Sequence, residues 1–233
     1  TNKFLLLNSK CHKMSTSFAE ENYLKIIYRL SEGHDDDIST NAVAELTQTK
    51  AASVTDMLRK LAEKGWVHYQ KYQGVRLSPE GEKIALGIVR KHRLWEVFLV
   101  EKMGFNWDEV HEIAEQLEHI ESDSLIEKLD AFLEYPKTDP HGDPIPTKNG
   151  VMPELCYLHL SDIKAGKRCV LMGVAKDSAV FLQLLTKMQL SLGSALHVQE
   201  VNAFDRSISV SIDNAPAAFI SHEVAKNILV KLA

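Results

Sequence analysis

Apolar positions recur mostly at helical spacing between residues 16 and 134 and mostly in short strand-like runs over the last 70 or so. Phe18, Tyr23, Ile26, Ile27 and Leu30 form one stripe, which predicts a helix over 16–30 closed by Ser31-Glu32-Gly33. After the acidic loop Asp35-Asp36-Asp37, Ser39 or Thr40 can cap a short helix through Val43, Ala44 and Leu46. Thr47-Gln48-Thr49 then turns into a longer helix over about 50–64. Residues 66–70 and 75–77 read as two strands around Lys71-Tyr72-Gln73-Gly74. Ser78 and Pro79 open a long helix through Ile84, Ile88, His92, Trp95, Leu99 and Met103, and Gly104 ends it. Asn106, with Glu109 three residues on, predicts the cap and capping-box partner of the next helix, and a third helix spans about 124–134.

The pattern then breaks. Five of the seven prolines lie in 136–153 together with Gly142 and Gly150, which predicts a linker with its own fixed turns. Beyond it come short strands over about 168–174, 195–201 and 207–212, with a helix near 179–188 and a turn at Gly193-Ser194. A small barrel-like β domain of about 65 residues fits this spacing. The expected fold class is mainly α with α+β parts. The expected divisions are a leader over 1–14, disordered or non-native, a winged helix-turn-helix over 15–78 and a helical domain over 79–137. A proline-rich linker over 138–160 and a β domain over 161–233 complete the chain.

At 233 residues, with 45% hydrophobic and 25% charged content, the chain can bury more than one ordinary core. No apolar run approaches the ~18 residues of a membrane span, so no membrane partner is expected. The net charge of −5 excludes nucleic-acid binding through bulk charge, so any such binding must rest on a local patch. Cys11, Cys156 and Cys169 contain no CxxC pair and are odd in number, which predicts reduced thiols and a cytoplasmic protein.

A patch is present. Two helices joined by a three-residue turn and followed by a hairpin follow the winged helix-turn-helix plan. Lys50, Arg59, Lys60, Lys64, Lys71 and Arg76 face only Asp56 and Glu63 in this stretch, a local surplus of four positive charges. Lys50, Ala51, Ala52, Ser53 and Thr55 put small or polar residues at the start of the second helix, where close entry into a major groove leaves Ser53, Thr55 and Asp56 within reach of base edges. Lys50, Arg59, Lys60 and Lys71 are candidate phosphate contacts. An αα-hairpin alone would carry no such implication; the turn, the small residues and the basic hairpin do so together.

The second candidate chemistry lies between His92 and His119. His92 and Glu96 share a helix face by i, i+4 spacing, and His111, Glu115, Glu118 and His119 share another at i, i+4, i+7 and i+8. Singly, each would ordinarily be a solvated or ion-paired surface group. Six imidazoles and carboxylates on two neighbouring helices suit a hard divalent ion such as Mn²⁺ or Fe²⁺ better than a thiolate-bound zinc.

The segment Arg90-Lys91-His92-Arg93-Leu94-Trp95-Glu96, followed by Val110-His111-Glu112 and Glu118-His119, resembles the diphtheria-toxin-repressor and manganese-transport-regulator family of metal-activated bacterial repressors. The order of winged helix, dimerisation helices, proline-rich link and small SH3-like (FeoA-like) domain is similar too. The resemblance implies a homodimer that binds palindromic double-stranded operators when Mn²⁺ or Fe²⁺ fills paired sites. It implies a primary site drawing on Asn22 with Glu115, Glu118 and His119, which His92 joins in manganese-type members. It implies a second site at Glu96 and His111, commonly with His92, with Asp139 and His141 of the Asp139-Pro140-His141-Gly142 loop and Asp177 as further candidates. Glu115 stands where iron-type members carry Cys, which points to manganese. Asn22 and Lys25 stand where manganese-type members carry acidic residues, a departure from the pattern.

The resulting expectation is a non-enzymatic repressor of metal-ion homeostasis genes in which a cation removes carboxylate repulsion and sets the spacing of two recognition helices. Two other classes share parts of the pattern. A winged-helix regulator sensing a small organic ligand could use the His and Glu set structurally. A di-metal carboxylate enzyme would need Glu-x-x-His repeats, whereas Glu115 to Glu118 gives Glu-x-x-Glu.

Overall fold

Helix α1 spans Phe18–Ser31, and its start is fixed by a capping box: the Ser17 hydroxyl accepts from the Glu20 N–H, and the Glu20 carboxylate accepts from the Ser17 N–H. This computed structural model describes residues 16–33 and 36–233. The leader expected at 1–14, Cys11 and Asp35 of the acidic loop lie outside the described residues. The chain divides into two units, the first ending at Gly81 and the second running from Glu82 to Ala233.

In the first unit, α2 (Thr40–Thr47) is capped by Ser39 and ends at Gln48 in the left-handed region, which turns the chain directly into α3 (Ala51–Glu63). Strands β1 (Val67–Gln70) and β2 (Gly74–Leu77) pair antiparallel, with Val67 opposite Leu77 and Gln70 opposite Gly74. Leu24, Ile27, Val43, Val54, Leu58, Leu61, Trp66 and Val75 are all buried, so three helices and the hairpin share one core. This is the winged helix-turn-helix that the periodicity predicts.

The hairpin is locked where the long helix α4 (Pro79–Met103) begins. Ser78 donates its hydroxyl to the Gly65 carbonyl and accepts the Gly81 N–H. Gly81 runs so close to the wing that a Cβ there would lie 1.9 Å from the Trp66 carbonyl oxygen. Gly81→Ala should therefore force backbone apart and cost this unit about 1–3 kcal/mol, read as a lower denaturation midpoint. An unchanged midpoint would contradict the close approach.

In the second unit, α4 packs with α5 (His111–Leu117) and α6 (Asp123–Phe132) around Leu94, Trp95, Val97, Ala114, Ile126, Leu129, Leu133 and Ile145. Trp95, Leu99 and Leu129 are buried within the subunit, whereas Leu125 and Phe132 are exposed. One expectation needs correction. Asn106 does receive the Glu109 carboxylate on its N–H and side-chain amide, but residues 107–109 form a turn and the helix begins only at His111.

The C-terminal part is a six-stranded sheet in the order β3-β8-β4-β5-β6-β7. Its strands are β3 (Leu158–His159), β4 (Arg168–Val174), β5 (Ala195–Val201), β6 (Ile208–Ile212), β7 (Ala218–Ile220) and β8 (Ile228–Leu232), with all pairs antiparallel. Helix α7 (Ala179–Lys187) and the short α8 (His222–Ala225) complete it, and Leu171, Leu182, Leu185, Val198, Val210 and Val230 lie in its core. The expected strands over 168–174 and 195–201 match, while β3, β7, α8 and β8 had no counterpart in the sequence pattern. Among the described residues no helix is long and apolar enough to cross a membrane.

Candidate metal centre and nucleic-acid interface

Helix α4 places His92 and Glu96 one turn apart on its buried face; Glu96 is only 2% exposed. The His92 ring bridges two acids, with Nδ1 2.6 Å from Glu118 Oε2 and Nε2 3.0 Å from Glu96 Oε1. His111, at the first position of α5, brings Nδ1 to 3.5 Å from the same Glu96 oxygen, and its ring meets that of His92 edge-on at 4.9 Å. The donor atoms of His92, Glu96 and His111 all lie within 4.8 Å of one another.

Glu96 also faces the opposite way. Its Oε2 lies 3.8 Å from His141 Nδ1, and Glu96, Asp139 and His141 form a second group of donors within 4.8 Å, all three buried. The Asp139-Pro140-His141-Gly142 turn builds this group. Asp139 Oδ1 accepts from the N–H groups of His141 and Asp143, leaving Oδ2 directed at Arg93, 3.5 Å away. His141 Nε2 lies 2.8 Å from the Trp107 carbonyl oxygen.

The electrostatics follow from this crowding. Burial pushes the Glu96 carboxyl up, but hydrogen bonds from His111 and His92 and the charges of His92 and His141 outweigh it, so Glu96 stays ionised far below the usual range. Asp139 goes the other way: burial first, then the charges of Glu96 and Asp143, raise its carboxyl to about 7. Burial lowers His141, but Glu96, Asp139, the Trp107 carbonyl and Asp177 raise it further than burial lowers it. Glu96 is thus held ionised, while Asp139 and His141 keep their protons to a higher pH than such groups ordinarily do.

The remaining candidates of the second unit lie near this core. Glu118 is fully buried against His92, and His119 Nε2 lies 3.8 Å from the other Glu118 oxygen. Glu115 is half exposed, 3.5 Å from His111 Nε2. Asp177 acts on His141 through its charge. Asn22 is exposed on α1 in the first unit. Arg93 and Trp107 were missed by sequence reasoning: Arg93 sits one residue past a predicted ligand, but Trp107 acts through its main-chain carbonyl, which has no sequence signature.

In the first unit, Lys50 precedes α3, and Ala51, Ala52, Ser53, Asp56 and Arg59 are exposed along it. Thr55 returns its hydroxyl to the Ala51 carbonyl, and Asp56 pairs with Arg59 at 3.3 Å. Lys71 stands 4.9 Å over the ring of Tyr72, which is 93% exposed at the hairpin loop. Lys60 meets a partner no helical periodicity shows: Glu20 of α1, 1% exposed, lies 3.0 Å from Lys60 and 2.6 Å from Lys64. Burial alone would raise the Glu20 carboxyl, but bonds from Lys64, the Ser17 N–H and Lys60 hold it at about 2. Glu20 thus ties α1 to the last turn of α3.

A largely buried set of carboxylate oxygens and imidazole nitrogens, with no thiolate among them, fits a hard divalent cation. A winged helix followed by helices that carry such a set defines a metal-responsive DNA-binding protein. Residues 15–75 match the N-terminal DNA-binding domain of iron-dependent repressors, and residues 78–147 match their metal-binding and dimerisation domain. Residues 158–232 match the FeoA domain. A solved manganese-dependent transcriptional repressor in complex with manganese is 36% identical, covering 92% of this chain and 100% of that one, with a TM-score of 0.78. The iron-dependent repressor IdeR of Mycobacterium tuberculosis is 32% identical over 136 residues, 58% of this chain and 59% of that protein. An uncharacterized HTH-type transcriptional regulator of Methanocaldococcus jannaschii is 37% identical over 114 residues, 49% of this chain and 91% of that protein. The chain belongs to the iron-dependent repressor family, that of the diphtheria toxin repressor. It is a metal-dependent DNA-binding repressor with a dimerisation domain and a C-terminal SH3-like FeoA domain, and its family is one of transcriptional regulators rather than enzymes.

Proposed function

We propose that this chain acts in the cytoplasm as a homodimer that represses metal-ion homeostasis genes by binding palindromic operators when Mn²⁺ or Fe²⁺ is held around Glu96. The observation that carries this reading is Glu96 itself, a buried carboxylate at which both donor groups meet. His92, Glu96 and His111 would hold one cation, and Glu96, Asp139 and His141, with Asp177 nearby, another. Glu115, Glu118, His119 and Asn22 are further ligand positions in this reading. A bound cation supplies positive charge against carboxylates that otherwise repel one another or retain protons.

The chain's own residues do the rest. His92 links Glu96 to Glu118 and so joins α4 to the end of α5 through one ring. The exposed start of α3 offers Ala51, Ala52 and Ser53 to a major groove, with Thr55 and Asp56 further along. Lys50, Arg59, Lys60 and Lys71 supply positive charge for phosphates, and Glu20 restrains Lys60 until DNA competes for it. The working division is a winged helix over 15–78, a metal-binding and dimerisation layer over 79–137, a link over 138–160 and a β domain over 161–233. Manganese is favoured over iron by Glu115 at a position that is Cys in iron-type members, and by the manganese-bound relative.

The test is a titration of a palindromic duplex with the full chain in the presence of each metal in turn. Mn²⁺ should raise operator affinity by roughly 5–150-fold, the usual range of ligand-driven coupling. Equal affinity with Mn²⁺, with Fe²⁺ and with chelator would contradict it.

A further inference from the structure

We infer that Trp107 is a positioning residue that fixes the metal-facing nitrogen of His141 and makes the seating of the β domain part of the metal site; this rests on reading Glu96, Asp139 and His141 as a cation site. A carbonyl oxygen can only accept, so the 2.8 Å contact between the Trp107 carbonyl and His141 Nε2 places the ring hydrogen on Nε2. In the neutral ring, the form that can bind a cation, the lone pair is then on Nδ1, the nitrogen that faces Glu96. The Trp107 indole lies nearly parallel to the same imidazole, at 18° and 6.3 Å between centroids.

Trp107 is itself held from the β domain. Its Nε1–H donates to the Thr186 hydroxyl at 3.0 Å, and that hydroxyl donates in turn to the Leu182 carbonyl, so its lone pair is turned to the indole. The adjacent Asp108 carboxylate accepts from the Gln183 amide at 2.9 Å. Thr186 and Gln183 both lie on α7. The opposite side of His141 is fixed by β4, where Val174 donates its N–H to the His141 carbonyl at 2.9 Å. Gly142, at φ 91°, lies so close to β4 that a Cβ would be 2.3 Å from Gly173 Cα and from the Met172 carbonyl oxygen. The imidazole is clamped between a turn anchored to α7 and a loop anchored to β4.

Outer partners of this kind change metal affinity by roughly 10–100-fold when removed. The site and the α7 contact should therefore respond to each other. The experiment measures Mn²⁺ affinity of the full chain by calorimetry, and hydrogen exchange of 179–187 with and without Mn²⁺, in wild type, Thr186→Val and Thr186→Ser. The wild type should bind Mn²⁺ and show slower exchange in 179–187 when loaded. Thr186→Val, which leaves every candidate ligand in place, should bind about tenfold more weakly and lose that protection. Thr186→Ser keeps the acceptor and should restore both. Wild-type binding and protection unaltered in Thr186→Val would overturn the inference while leaving the cation site standing. Equal losses in Thr186→Val and Thr186→Ser would overturn it as well. A wild type whose Mn²⁺ affinity does not change on Asp139→Asn would overturn the cation site and this inference together.

Discussion

Glu96→Gln should abolish metal-dependent operator binding while leaving the dimer intact. Glutamine keeps the shape of the side chain in a site that is 2% exposed, so the packing of α4 is preserved. It removes the one negative charge common to both donor groups. His92, His111 and His141, each within 4 Å of that carboxylate, lose the partner that makes their neighbourhood attractive to a cation. Removing outer partners alone costs 10–100-fold in affinity, so losing a shared direct ligand should cost roughly 100-fold or more in Mn²⁺ affinity. Glu112→Gln, an exposed change one residue after His111, should bind Mn²⁺ and operator as the wild type does. Gel filtration would report the dimer, calorimetry the metal, and a duplex titration the operator. Wild-type Mn²⁺ stoichiometry in Glu96→Gln would remove the assignment.

Mn²⁺ affinity should also rise steeply with pH between 6 and 8. Asp139, raised to about 7 chiefly by burial, holds its proton through part of this range, and His141 is raised above its ordinary value by the Glu96 carboxylate against the opposing effect of burial. Each must give its proton up to act as a ligand, and each such proton contributes up to about tenfold in affinity per pH unit below its pKa. Calorimetry in buffers of differing ionisation enthalpy should detect protons released on cation binding near pH 6.5. Asp139→Asn should reduce that release. The metal-free protein shows the converse. Both groups have folded-state pKa values above their unfolded ones, so their contribution to stability is full at low pH and is lost as pH rises through the folded values. Glu96, held low, contributes a constant amount across the same window. The metal-free chain should thus be less stable at pH 8 than at pH 6, and Mn²⁺ should stabilise it most at the higher pH. An affinity flat from pH 6 to 8, with no protons released, would contradict both arguments.

The parts legible in the sequence are those whose signal is local. The α1 stripe, the wing, the Ser78-Pro79 start of α4 and the alternating strands β4 and β5 each carry their pattern within a few residues. Strand β8 was not legible because its place is set by pairing with β3 and β4, residues far away along the chain. Strand β7 has only three residues and β3 two, too few to show a period. The Asn106 and Glu109 pair illustrates a correct local contact with the wrong extension. The helix is delayed to His111 because Trp107 and Asp108 are engaged by Thr186 and Gln183 of α7. At the site, helical spacing put His92 and Glu96 together, whereas Asp139 and His141 came through the family resemblance, since a loop has no period to read. The pairing of Glu20 with Lys60 and Lys64 spans 40 residues or more and is visible only in the fold.

The same cation should report on the DNA. If metal held at Glu96 decides whether the recognition helices engage an operator, linkage requires that the operator tighten Mn²⁺ binding by the factor by which Mn²⁺ tightens operator binding. Mn²⁺ affinity measured on the full chain alone and on its complex with a palindromic duplex, at one salt concentration, tests this directly. The predicted result is a tightening in the complex of roughly 5–150-fold, equal to the metal-dependent gain in operator affinity. Identical Mn²⁺ affinities in the two samples would contradict the account.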